Sequence, residues 1–124
     1  GRSARKPRAK EAARMPTIAV RLDPQLLANP DLDIRYRLPD LLAERSAGVI
    51  RDDGYDYAGE RLLVVFLKVS RLKPALACVL DVVENVPVAG GLLGPGAVVA
   101  VERKAGWEVV YPPGFAGPFL PADG

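Results

Sequence analysis

Asp52, Asp53 and Asp56 fall within a five-residue span of the stretch VIRDDGYDYAGE, interleaved with Gly54, Tyr55 and Tyr57 and followed by Glu60. Carboxylates and phenols at this spacing could do three kinds of work. A pair such as Asp52 and Asp56 could divide acid and base roles, with Arg35, Arg51 or Tyr57 stabilising charge. Three acids could hold calcium, but the D-x-D-x-D-G order and distant glutamate of an EF-hand loop are missing. The group could instead be a contact surface, since tyrosine offers a large rigid area and acids select a basic partner and speed its approach. Against all three stands a plainer account in which Asp53-Gly54 makes a turn, the other acids solvate it, and alternating tyrosines cover a sheet.

The rest of the chain narrows the choice. There is no histidine, which removes Ser-His and Cys-His nucleophilic pairs and every His-containing zinc site. The single cysteine, Cys78, excludes a Cys₄ cage and an intramolecular disulfide, which suits a reducing cytoplasm. With nothing to activate it, Cys78 is read as passive. Ser46 and Ser70 stand where helices should end and are read as caps. The segment GGLLGPG lacks both the Lys-Ser/Thr pair of a P-loop and the spacing of a dinucleotide fingerprint. No cofactor and no metal are expected, and a non-enzymatic role is favoured over catalysis.

Charge is divided unevenly. Residues 1–15, GRSARKPRAKEAARM, hold six of the 17 basic residues and one of the 15 acids, so residues 16–124 carry 11 against 14, a net of −3. The arm is read as a flexible extension or an upstream remnant, with 16–124 forming one domain. Phosphate neutralisation by the arm would make a nucleic-acid binder, but the arm has no aromatics to stack on bases and the body is acidic. A chain of 124 residues that is 49% hydrophobic and 26% charged fits a single domain with an ordinary core. Its longest apolar run, LLVVFL, is far short of the roughly 20 residues that cross a bilayer.

The elements that must position these residues follow from periodicity. TIAVRL predicts a strand over 17–22. LDIRYRL, residues 32–38, alternates like a half-buried strand, yet Ile34, Leu38, Leu41 and Leu42 also recur at helical spacing, and both readings stay open. Pro39 pre-sets a first helical turn and Gly48 suits a helix end, so a helix is expected over 39–46. VIRDDGYDYAGERLLVVFLKV reads as a hairpin turning at Asp53-Gly54, its last strand buried on both faces. RLKPALACVLDVVENV sets Leu72, Leu76, Val79, Leu80, Val83 and Val86 on one helical stripe. AVVAVERKAGWEVVY closes the domain with a hairpin around Lys104-Ala105-Gly106, before an extended Pro/Gly-rich tail. The fold class is therefore α+β, a two-layer sandwich with a mostly antiparallel sheet and two main helices on one face. A ferredoxin-like βαββαβ order, extended by the C-terminal hairpin, is the template.

The run NPDLDIRYRLPDLLAERSAGVIRDDGYDYAGE, with GWEVVYPPGF further on, resembles small bacterial proteins of the toxin-immunity kind over residues 16–118. The resemblance implies a cytoplasmic, non-enzymatic partner binder and carries no residue roles. The expectation is a protein-binding module of the inhibitor or immunity type, acting through Asp52, Asp53, Tyr55, Asp56, Tyr57 and Glu60 on a partner of basic character. A small-molecule site using Arg35 and Arg51 is the alternative. Exposed edge strands pair readily, so a homodimer stays open.

Overall fold

The computed structural model describes residues 16–28, 33–59, 61–115 and 119. The basic arm, Glu60 and much of the Pro/Gly-rich tail lie outside the described residues. Five strands, β1 (Thr17–Leu22), β2 (Ile50–Ala58), β3 (Leu62–Val69), β4 (Ala97–Arg103) and β5 (Gly106–Tyr111), form one sheet in the order β2-β3-β1-β4-β5. Every neighbouring pair is antiparallel. Helices α1 (Ile34–Arg45) and α2 (Leu72–Asn85) complete a βαββαβ order, with β5 added at the end. The strands joined through α1 are separated by β3, and those joined through α2 by β1, so two split βαβ units interlock.

Period-two alternation divides the sheet's apolar residues into two layers. Ile18, Val20 and Leu22 of β1, with Leu63, Val65, Leu67 and Val69 of β3, share one core with Ile34, Leu38 and Leu42 of α1 and Ala75, Val79, Val82 and Val83 of α2. Ala19, Val64, Phe66, Val98 and Ala100 point the other way and meet Phe119, with Trp107 and Phe115 against them. Both helices therefore pack on a single face. On the opposite face aromatic rings from β5 and the C-terminal segment take the helices' place.

Several local expectations are corrected. Of the two open readings for 32–38 the helical one holds over 34–38, and as a result Pro39 is the sixth residue of α1 rather than its first. The Asp33 carbonyl already closes the first turn by accepting from the Tyr36 and Arg37 N–H groups at 2.9 and 2.8 Å. Pro39 therefore costs the helix one bond, to the Arg35 carbonyl. Asp53-Gly54 is not a turn. β2 runs through it as a bulge, two residues facing one between the pairs Asp52↔Leu67 and Tyr55↔Val65, with Gly54 at φ +90. The chain reverses after the Ala58↔Leu62 pair instead.

The buried seam of α2 is Ala75, Val79, Val82 and Val83, rotated from the expected stripe, so that Leu72, Leu76, Leu80 and Val86 only flank it. Ser46 does stand at the C-cap of α1: its hydroxyl donates to the Ala43 carbonyl at 3.4 Å and accepts from the Ile50 N–H at 2.9 Å, tying the helix end to β2. Ser70 does not hold the corresponding place, because the N-cap of α2 is Arg71, which makes no side-chain cap bond. The final hairpin turns through Lys104 and Ala105 alone, with Gly106 at φ +131 paired to Arg103.

Candidate functional site

Among the described residues β2 is an edge strand, with β3 as its one strand neighbour. Its bulge decides which of its side chains share a face. Asp52, Tyr55 and Tyr57 stand opposite Leu67, Val65 and Leu63, on the helix side of the sheet, while Arg51 and Asp56 stand opposite Lys68 and Val64, on the other side. The sequence-predicted group is thus split between two faces.

The acids are engaged locally. Asp52 Oδ1 accepts from the Gly54 N–H at 2.9 Å and fixes the bulge, and Asp56 Oδ1 accepts from the Tyr57 N–H at 2.8 Å. Asp56 is buried, at 7% exposure. Carboxylates that satisfy amides along an edge strand account for these residues in structural terms and blunt that edge. Arg51 lies exposed beside Lys68, remote from any partnership with Arg35.

The phenols come together. The rings of Tyr55 and Tyr57 meet edge to face at 6.0 Å, and Tyr36, from the first turn of α1, meets Tyr55 in the same way at 6.1 Å. The Arg35 guanidinium lies over the Tyr36 ring at 4.7 Å and near the Tyr55 ring at 5.4 Å. Tyr36, Tyr55 and Tyr57 remain 48%, 38% and 37% exposed, making them three of the five large apolar side chains most open to water among the described residues. Single exposed apolar residues are ordinary; here three aromatic ones are contiguous.

Hydrogen bonding polarises the cluster. The Tyr36 hydroxyl accepts from Arg35 and Tyr55, and these bonds pull its pKa below the usual phenol value. Tyr55 is pushed up because its proton is held by Tyr36, and the same contact with Tyr36 raises Arg35. Tyr36 is therefore expected to ionise ahead of Tyr55 when the folded protein is titrated into alkali and phenolate absorbance is followed. Arg35→Gln should move that first step toward the ordinary phenol range. An unchanged titration would remove the Arg35 bond from the account. The sign follows from linkage: Tyr36 adds to stability only as pH rises toward the unfolded phenol's pKa, and Tyr55, shifted oppositely, offsets it.

Comparison with protein-family models, with curated proteins and with solved structures yields no match. The reading of this surface therefore rests on its geometry.

Tyr36 was not among the residues singled out from sequence. The signal was present in Arg35-Tyr36-Arg37, but only a helical reading of 34–38 turns Tyr36 toward β2. Chemically the patch is an open aromatic surface with one guanidinium. Two clefts among the described residues are lined by other side chains. Among the described residues no three His, Cys, Asp or Glu side chains are grouped so as to hold a metal ion, and no helix is long and apolar enough to cross a membrane.

Proposed function

We propose that the protein acts by binding a protein partner through Tyr36, Tyr55 and Tyr57, as an inhibitor or immunity-type module. The observation that carries this is the convergence of three exposed phenol rings at one sheet edge, held at fixed angles by mutual packing. Rigid aromatic anchors contribute binding energy at low entropic cost, and they dominate protein interfaces. Because Asp52 and Asp56 occupy amides of β2, the partner engages side chains rather than adding a strand to the edge.

The partner is basic. Arg35 shows that these ring faces accept a guanidinium, and no cation of the described residues lies over Tyr57. Residues 33–58 hold six acids against four arginines, so the surrounding field favours a cationic approach.

The test uses a partner captured with the wild-type chain, identified, expressed and titrated in a defined binding assay. The triple variant Tyr36→Ala/Tyr55→Ala/Tyr57→Ala should bind at least about tenfold more weakly, since aromatic anchors each contribute on the order of 1–2 kcal/mol. Loss of the two ring contacts should lower its thermal stability modestly, so the comparison is made where circular dichroism shows the variant folded. Undiminished affinity would reject this surface as the interface.

A further inference from the structure

We infer that the cleft at the C-terminal end of β1 binds a small carboxylate with an apolar body. The cleft encloses about 460 Å³, within the range of small-molecule sites. Its walls are largely apolar, with Leu26, Leu62, Pro95, Pro112 and Phe115 among the lining residues, and its charged groups are Arg21, Arg61 and Asp23.

The three charges are not equivalent. Arg61 reaches Asp23 Oδ2 at 3.2 Å, and Asp23 Oδ1 accepts from the Gln25 N–H at 3.0 Å, so these two groups satisfy each other and the local backbone. Arg21 has no carboxylate partner among the described residues. It is half-buried on the helix-free face between Val64 and Val98, its guanidinium 5.5 Å from the Phe115 ring and 5.4 Å from the Phe119 ring. Stacking on phenyl rings orients a guanidinium and leaves its in-plane N–H donors for an acceptor, and that fork matches the two oxygens of a carboxylate.

Together the lining charges sum to +1, which matches a monoanion. The Gly94–Gly96 turn leaves one wall as bare backbone: a Cβ on Gly96 would stand 2.8 Å from the Asp23 carbonyl oxygen. A half-desolvated, oriented cation in an apolar cleft is the arrangement that an aryl or branched carboxylate completes.

Benzoate, its neutral counterpart benzyl alcohol, and inorganic phosphate are the probes, titrated into the ¹⁵N-labelled chain with amide shifts followed. Benzoate should move the amides of residues 21–26 and 94–98 saturably, with a Kd on the order of 1 mM, as suits a fragment of this size. Arg21→Gln should weaken this at least tenfold. Leu26→Trp, at a side chain that is 57% exposed and so tolerant of change, should obstruct the cleft and weaken benzoate equally. Should Arg21→Gln fail to fold, Leu26→Trp decides alone. The inference is overturned if benzyl alcohol or phosphate matches benzoate, if benzoate gives no saturable shift, or if the folded variants bind it undiminished. None of these outcomes bears on the tyrosine patch, which shares no residue with the cleft.

Discussion

Phe66→Ala should lower the stability of the domain by about 3–5 kcal/mol, the usual range for a fully buried phenylalanine. Phe66 is completely buried on the helix-free face. The row that crosses the sheet at its position runs Phe66, Ala19, Ala100, Val109. Two alanines side by side leave a trough over the central strands, and no helix fills it. Trp107 lies 6.3 Å from Phe66 and 5.8 Å from Phe119, so three rings occupy that space. Removing Phe66 therefore takes the inner wall from an aromatic layer that has little else behind it. Trp107 is the sole tryptophan, which makes its fluorescence during urea unfolding a direct report on this layer. A loss below about 1 kcal/mol would mean that Trp107 and Phe119 collapse into the space, contrary to the partial relaxation that cavity mutants show.

Gly96→Val should cost about 2–3 kcal/mol by overpacking. The position needs no left-handed backbone. What it lacks is room. A Cβ there would stand 2.8 Å from the Asp23 carbonyl oxygen, 3.0 Å from Leu27 Cδ2 and 3.3 Å from Leu26 Cβ. The first of these is backbone, and it is held in place because the Gly96 carbonyl accepts from the Asp23 N–H at 2.9 Å. The end of β1 and the turn before β4 are thus clamped together at a spacing that only glycine fits. Gly96→Ala should be milder and Gly96→Val should also perturb benzoate-responsive amides. Thermal or urea unfolding ranks the two variants. Wild-type stability in Gly96→Val would show that the clamp yields freely.

How far these features could be read in the sequence depended on whether a local signal had one physical meaning. TIAVRL did: β-branched alternation with Pro24 beyond it bounds β1 at Thr17–Leu22 as expected. The paired apolar spacing of α2 did as well, though a stripe drawn from sequence does not say which edge of it meets the sheet. Asp53-Gly54 had two meanings. A tight turn and a bulge both need a residue at positive φ, and only the pairing of β2 with β3, a non-local fact, separates them. LDIRYRL had two meanings for the same kind of reason. Of its two open readings the helical one is realised, which sets Tyr36 in the first turn of a helix and changes the composition of the candidate site. The side-by-side placement of Tyr55 and Tyr57 was legible from period two. Their meeting with Tyr36, and the placing of Asp52 and Asp56 on opposite faces, were not, because the first depends on how α1 crosses the sheet and the second on the bulge.

The place of β1 has a bearing on how the chain reaches this fold at all. As the first strand of the described sheet it occupies the middle, with Ile18 opposite Leu67 on one side and Val101 on the other. During synthesis it therefore waits, first for β3 and then for β4, while β2 and β3 can zip locally as a hairpin. Pairings between distant residues slow folding toward the millisecond-to-second regime, because the entropy of closing the long loops is spent before the ladder forms. For that interval both margins of an apolar, β-branched hexapeptide are open to any neighbouring nascent chain. High expression at raised temperature should trap this species in aggregates seeded by Thr17–Leu22, and slower synthesis should rescue soluble yield without any change in the finished fold.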